Sequence, residues 1–289
     1  MRGSATKASV ILPCFNGGDT IALQLDALSR QRWSESWELI VSDNGSTDNS
    51  RRIIEQFRDR IPNMRTVDSS DKRGAAHARN VAIAVADSDR LIFCDADDEV
   101  APRWLEVMAN GLTQLPVVVS RFEDGKFNPQ WLRDLWNTSS EGPTPCLCYL
   151  PCAAGYGFGF TREVYERVGP FDESLMRMSD IDFTWRLQLA GYRLDFLPEA
   201  VVQYRHRPTL RGMFSQAYRD GQAQVLLYKK YAKEGMPWRS WKDAGRAWIA
   251  LGKRLPSFRS KVERARWIVD LGLSMGHIRG SIRHKIFAP

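Results

Sequence analysis

Short apolar runs that stop at polar or acidic turns recur through the first two hundred residues. Between them lie stretches whose apolar positions repeat every three or four residues. The runs at 8–14, 37–42, 64–67 and 91–94 predict strands, and the stretches at 20–31, from the turn after Ser42 through Phe57, and at 74–86 predict helices. Strands alternating with helices at this spacing indicate βαβ units and a largely parallel sheet. The sharpest run, Leu91-Ile92-Phe93-Cys94, ends at Asp95-Ala96-Asp97-Asp98. Four apolar residues between Arg90 and Asp95 predict a strand buried on both faces, with carboxylates at its carboxyl end, where open α/β sheets bind ligands.

The pattern weakens between residues 100 and 150, where it predicts a strand at 117–120, a helix at 129–136 and a polar loop at 137–144. A glycine-rich strand is expected at 153–160, a helix at 161–168, and a loop at Gly169-Pro170-Phe171-Asp172-Glu173. Ser179-Asp180-Ile181-Asp182 opens a helix with Ser179 and Asp182 spaced as a capping box. Two strands follow, at 193–197 and 201–206, the second ending in His206. In the last sixty residues Trp241, Ala244, Trp248, Leu251 and Leu255 recur at helical spacing, and Phe258, Val262, Ala265 and Val269 repeat the pattern. Gly272, Gly276 and Gly280 fall four apart and would give a helix a smooth ridge. This divides the chain into a leader at 1–7, an α/β domain at 8–230 with halves at 8–100 and 101–230, and a helical tail at 231–289.

At 289 residues and 43% apolar content the chain can bury a large core. It has no apolar run of the roughly 20 residues that a membrane span needs, and its first residues lack the apolar core of a secretory signal, so a cytoplasmic location is expected. Five cysteines, an odd number, argue against a disulfide framework. Cys146, Cys148 and Cys152 do not have the spacing of a zinc ribbon. From Lys229 onward 15 Lys and Arg stand against 4 Asp and Glu, in a chain whose net formal charge is +7. The basic character therefore belongs to the tail.

Asp95 and Asp97, two apart along an extended strand end, can face one divalent cation, which would relieve their mutual repulsion. The same residues also suit a solvated acidic turn. Asp43, in the polar turn Asp43-Asn44-Gly45-Ser46-Thr47-Asp48, can accept hydrogen bonds from a base or ribose, or cap a helix. Asp180, in the first turn of its helix, would be kept ionised by the helix dipole and can act as a base or simply stabilise the helix start. No G-x-G-x-x-G follows the first strand and no G-x4-G-K-[ST] occurs, which removes support from dinucleotide and P-loop chemistry.

Taken in order, Val10-Ile11-Leu12-Pro13-Cys14-Phe15-Asn16, Val41-Ser42-Asp43-Asn44-Gly45-Ser46-Thr47-Asp48, Gly74 with Arg79-Asn80, Cys94-Asp95-Ala96-Asp97-Asp98, Val168-Gly169-Pro170-Phe171-Asp172-Glu173, and Asp180-Ile181-Asp182 with Arg186 resemble the family 2 glycosyltransferases of the GT-A fold. The likeness covers residues 8–222. It implies a Rossmann-like mixed sheet flanked by helices, with the tail as a helical appendage. It further implies that Pro13, Asn16, Asp43, Arg79, Asp95 and Ala96 line a nucleotide-sugar pocket, with Asp43 toward the base and Asp95 toward the ribose. Asp97 and His206 would hold Mn2+ or Mg2+, and Asp180 would be the catalytic base of an inverting transfer. The family commonly has Glu-Asp where this chain has Ser179-Asp180, a departure that bears on how the acceptor is positioned.

The expected donor is a nucleotide sugar, in the first place a UDP-sugar. The expected acceptor is a saccharide or a lipid-linked acceptor, in cell-surface polysaccharide or glycolipid synthesis. Basic amphipathic helices with tryptophan at the boundary suit an anionic membrane surface, on the inner face in a cytoplasmic enzyme, although the tail could instead pack on the catalytic domain. No nucleic-acid motif accompanies the charge. Two rivals remain: a sugar nucleotidyltransferase, whose first loop would need a cation that Cys14-Phe15-Asn16-Gly17-Gly18 lacks, and a catalytically silent nucleotide- or sugar-binding module in a membrane complex.

Overall fold

The computed structural model describes residues 6–61, 63–136, 141–238, 240–254 and 260–286. Residues 1–5 of the expected leader, part of the 137–144 loop, and Leu255 and Phe258 of the tail pattern lie outside the described residues. The strands are β1 Ala8–Cys14, β2 Trp37–Asp43, β3 Met64–Asp68, β4 Arg90–Phe93, β5 Glu99–Val100, β6 Val117–Glu123, β7 Phe158–Thr161 and β8 Asp195–Gln203. The helices are α1 Ile21–Ser29, α2 Ser50–Gln56, α3 Ala75–Val85, α4 Trp104–Gly111, α5 Gln130–Trp136, α6 Arg162–Val168, α7 Ser179–Leu189, α8 Leu210–Tyr231, α9 Trp241–Arg254 and α10 Lys261–His284. The described residues form two compact units. One falls within Met1–Lys126, Ser139–Thr144 and Pro151–Arg205, the other within Phe127–Thr138, Pro145–Leu150 and His206–Pro289.

The first unit is built on a mixed eight-stranded sheet of order β3-β2-β1-β4-β7-β6-β8-β5. β1 pairs in parallel with β2 and with β4, and β4 pairs antiparallel with β7. Both faces of the central strands are covered, and the period of two decides which residue goes where. Val10, Leu12, Leu39, Val41 and Ile92 pack on one side with α1 and α4, and Ile11, Ile40, Leu91 and Phe93 pack on the other with α3 and α7. On that second side Phe93, Phe158, Phe160, Phe171 and Phe183 form a ring cluster, with Phe171 and Phe183 stacked at 4.3 Å. The strand order reverses at β1, so the ends of β1, β2 and β4 open onto one switch point.

Several expectations are corrected. The glycine-rich strand shortens to Phe158–Thr161, with residues 153–157 in a loop and turn. The strands expected at 193–197 and 201–206 are one strand, β8. Its register against β6 jumps from Ser120↔Leu197 to Arg121↔Val201, so Pro198, which has no N–H for the ladder, sits at a bulge. His206 lies beyond that strand. Ser179 is the first residue of α7 and Met178 is its N-cap, so the capping box with Asp182 does not form. Asp182 instead pairs with Arg186 Nε at 2.9 Å. Cys146 and Cys152 are disulfide-bonded, against the inference from the odd cysteine count, while Cys14, Cys94 and Cys148 are free.

The second unit is helical. Leu132, Leu135, Met213, Ala217, Ala265 and Val269 form its apolar cluster. The expected glycine ridge of α10 packs on α8. A methyl group on Gly276 would collide with the Tyr218 carbonyl oxygen, and one on Gly221 would stand 2.5 Å from the Leu273 carbonyl oxygen. α10 begins with a capping box between Ser260 and Glu263. Among the described residues no helix is long and apolar enough to cross a membrane.

Candidate active site

The site is assembled at the carboxyl ends of the central strands of the first unit. After β1 the chain turns through Asn16, whose φ of 50° is one that asparagine tolerates better than most residues. Asn16 Oδ1 accepts the Thr47 N–H at 2.8 Å, the Asn16 N–H reaches Ser46 Oγ at 3.0 Å, and the Gly17 N–H reaches Ser50 Oγ at 2.9 Å. The loops after β1 and β2 are thereby laced together. Pro13 is in register with Ser42 near the end of β1.

Asp43 ends β2 and is buried. Its carboxylate accepts the Ser46 N–H at 3.1 Å and pairs with Arg51 at 2.5 Å. It thus closes its own turn and is not the cap of α2, which begins after Asn49. Neighbouring Asn44 was not singled out by sequence reasoning. It donates to the Ser69 and Lys72 carbonyls at 2.5 and 2.8 Å and accepts the Gly74 N–H at 2.8 Å, fixing the loop that leads into α3.

α3 delivers Arg79, which is buried and donates to Asp95 Oδ1 at 3.0 Å, with its guanidinium 5.6 Å from the Phe171 ring centroid. Asp95 follows β4 and keeps 32% of its side-chain surface accessible. Burial pushes its carboxyl up to about 6; Arg79 opposes the shift, and the charges of Asp97 and Asp180 add to it. Ala96 is buried. The Asp95 carbonyl accepts from fully buried Gln24 at 3.0 Å, and Gln24 Oε1 accepts the Val100 N–H at 2.9 Å, so α1 pins both ends of the acidic turn. Nothing in the local pattern marks Gln24, because its partners lie more than seventy residues away.

Asp95, Asp97 and Asp98 each offer a carboxylate oxygen within 4.8 Å of the others'. Asp98 is buried; one oxygen accepts the Arg205 N–H at 2.9 Å, and the other is buried with no hydrogen-bond partner. Burial, with the charges of Asp97 and Asp95, pushes its carboxyl well above the ordinary range. Three crowded hard oxygen donors and an orphaned buried oxygen fit a divalent cation, whose charge would offset the repulsion. Asp98 belongs to the acidic run read from the sequence but had been given no part in it.

Asp180, in the first turn of α7, accepts the Gly155 N–H at 2.7 Å. Gly155 also touches the other half of the site. A Cβ there would collide with Arg79 Nη2 and stand 2.9 and 3.0 Å from the Asp95 oxygens. One glycine therefore holds the predicted base with its N–H and leaves room for the Arg79–Asp95 pair. Its sequence signal is only the glycine spacing of 155, 157 and 159. Half-buried Tyr156 and Tyr204 pack edge to face at 5.5 Å, and desolvation raises both phenols, with the Asp98 charge adding. Below the site Asn80 exchanges hydrogen bonds with Phe171 and, with Lys72 and His77, holds Glu173.

His206 belongs to the second unit. Its ring stacks on Trp136 at 5.6 Å and its N–H reaches Asn128 Oδ1 at 2.9 Å; it is not one of the three-carboxylate group.

A mixed sheet flanked by helices, with an acidic turn after its fourth strand, is the fold of the GT-A class. The family model described as glycosyl transferase family 2 matches residues 9–172, more than half of the chain, and one for glycosyl transferase family group 2 matches residues 95–271. The chain belongs to glycosyl transferase family 2. It is 26% identical over 239 residues to the succinoglycan biosynthesis protein ExoA of Rhizobium meliloti, covering 79% of this chain and 72% of that one. The mannosyltransferase PcManGT from Pyrobaculum calidifontis, solved with GDP-Man and Mn2+, superposes with a TM-score of 0.67 at 20% identity, over 95% of this chain and 86% of that one. Staphylococcus aureus TarS 1–349, solved with UDP-GlcNAc, superposes with a TM-score of 0.55 at 17% identity, over 98% and 93%.

Proposed function

We propose that the protein is an inverting, metal-dependent glycosyltransferase that moves a sugar from a nucleotide-sugar donor, in the first place a UDP-sugar, to an acceptor hydroxyl. The observation that carries this reading is the grouping of Asp95, Asp97 and Asp98 at the end of β4, with Asp180 turned toward the same Gly155 that borders Asp95. Asp97, with Asp95 and Asp98 beside it, would hold Mn2+ or Mg2+. Such an ion, when bound, supplies charge neutralisation for the departing nucleoside diphosphate. Pro13, Asn16, Asp43, Arg79, Asp95 and Ala96 would border the donor pocket, a reading supported by the lacing together of the loops after β1 and β2. Asp180 takes the proton from the attacking hydroxyl on the face opposite the leaving group, so configuration inverts. The second-unit His206 is retained as a metal-ligand candidate, to be tested by its own substitution.

The domain reading stays as proposed from the sequence, with a catalytic domain at 8–230 and a basic tail at 231–289. The pathway proposed is cell-surface polysaccharide or glycolipid synthesis, supported by the likeness to ExoA. A saccharide or lipid-linked acceptor would be met at the cytoplasmic face of a membrane. The test combines calorimetric titration of UDP-, GDP- and dTDP-sugars, with and without Mn2+, and transfer assays of two variants. Asp97→Ala should abolish metal-dependent donor binding. Asp180→Asn should bind donor normally and lose at least about a thousandfold in transfer. Full transfer by Asp180→Asn would remove the base assignment, and donor binding without any turnover in the wild type would favour a silent binding module.

A further inference from the structure

α9 carries an apolar face that the described residues leave uncovered. At about 100° per residue, Trp248, Trp241, Gly252, Gly245 and Ile249 fall in one sector about 100° wide. Trp241 is 65% exposed, Ile249 60% and Trp248 37%, and a methyl group added at Gly245 or Gly252 would meet nothing within 4 Å. The helix is nevertheless held firmly on its other side. Ala244 and Leu251 are buried, Trp267 Nε1 donates to the Leu251 carbonyl at 2.9 Å, and Arg254 pairs with Asp270. Two tryptophans and an isoleucine are therefore displayed from a fixed platform.

The charge beside this face selects the occupant. Lys242, Lys253 and Arg246 follow the apolar sector along one edge, and Lys242 lies 5.6 Å from the centroid of the Trp241 ring. Asp243, which pairs with Arg246 at 3.1 Å, is the only acid on the helix and lies away from the apolar sector. A second copy of this face would bring one basic row against another with no acid between them. An anionic bilayer supplies the complementary charge and, at the headgroup level, the environment in which tryptophan partitions best. A helix of 14 residues is too short to span the hydrocarbon layer but can lie in its surface.

We propose that the exposed face of α9, centred on Trp241, Trp248 and Ile249 and edged by Lys242, Arg246 and Lys253, docks the protein on an anionic lipid surface. This deepens the membrane-face part of the proposed function. Its test needs no transferase activity, so failure of the docking and failure of the catalytic reading are told apart.

The experiment is co-sedimentation of the full chain with sucrose-loaded vesicles of phosphatidylcholine alone or with about 30 mol% phosphatidylglycerol, at low and high salt. The wild type should bind the anionic vesicles only, and less at high salt. Trp241→Ser with Ile249→Ser should lower the partition coefficient about tenfold or more, with an unchanged melting temperature because both sites are exposed. Lys242→Glu with Arg246→Glu and Lys253→Glu should erase the preference for anionic lipid. Equal partition of wild type and the serine variant, equal binding to neutral vesicles, or a lipid-free dimer in sedimentation velocity that the serine variant dissolves would each overturn the proposal.

Discussion

Replacing Gly155 by alanine adds one methyl group to the point where the two halves of the site meet. The backbone accepts it, since φ at Gly155 is outside the left-handed region, and the N–H that holds Asp180 is kept. The methyl group, however, takes the space of Arg79 Nη2 and stands within 3.0 Å of both Asp95 oxygens, so the 3.0 Å Arg79–Asp95 bond has to break. A hydrogen bond between charged groups contributes about 1.5–3 kcal/mol, and the accessible third of Asp95 argues for the lower half of that range. At about 1.4 kcal/mol per factor of ten, donor affinity should fall about 10- to 40-fold. Isothermal titration of nucleoside diphosphate with Mn2+ measures this directly, and a thermal melt checks the fold. Transfer by the saturated variant should fall much less, because Asp180 keeps its partner. A Gly155→Ala protein that binds donor as tightly as the wild type would refute the claim that the Arg79–Asp95 pair serves the donor pocket.

Three further outcomes are expected. Gln24→Ala leaves the buried Val100 N–H without its acceptor and should cost about 2–3 kcal/mol, seen as a drop of about 5 °C or more in melting temperature together with weaker Mn2+ binding. Burial raises Glu173, but bonds from Asn80, Lys72 and His77 outweigh it and hold the carboxyl at about 2 against an ordinary 4.5. Burial lowers His77, but bonds to Asp71 and Glu173 outweigh it and hold the imidazole above its ordinary 6.5. The Glu173 contribution is thus present above pH 4.5 and fades as pH falls toward 2, whereas that of His77 is present below pH 6.5 and fades as pH rises through its folded value. Melting temperatures across that range should fall at both ends for the wild type, and Glu173→Gln should flatten both limbs. Gly276→Ala should destabilise the α8–α10 pair by about 1–3 kcal/mol in urea unfolding, whereas Gly245→Ala, in open space, should stabilise by about 0.5–1 kcal/mol.

The sheet was legible because its strands are buried on both faces, and Val10, Ile11 and Leu12 have no polar position to blur the signal. The acidic end of β4 was legible for the same reason, since the change from Phe93 to Asp95 marks where the core stops. α8 was not anticipated, although it is 22 residues long. Its buried positions include Ala217 and Gly221, small because α10 approaches them with glycines, so the apolar stripe that normally announces a helix is faint. Ser179 and Asp182 had the spacing of a cap, but Arg186 one turn on competes for the carboxylate and wins. Gln24, Asn44 and Gly155 act between segments far apart in the chain, and no local periodicity reports such contacts.

The glycine seam between α8 and α10 bears on how the second unit responds to temperature. Where backbones meet at Gly221, Gly272 and Gly276, contact removes peptide surface from water with little aliphatic surface beside it. Exposing apolar area raises the heat capacity of unfolding and exposing peptide area lowers it, so melting this seam adds little to the heat-capacity change. Its stability curve should therefore be broad and shallow. A helix pair joined in this way holds its geometry nearly as well in the cold as in the warm, where one joined by leucines would begin to loosen.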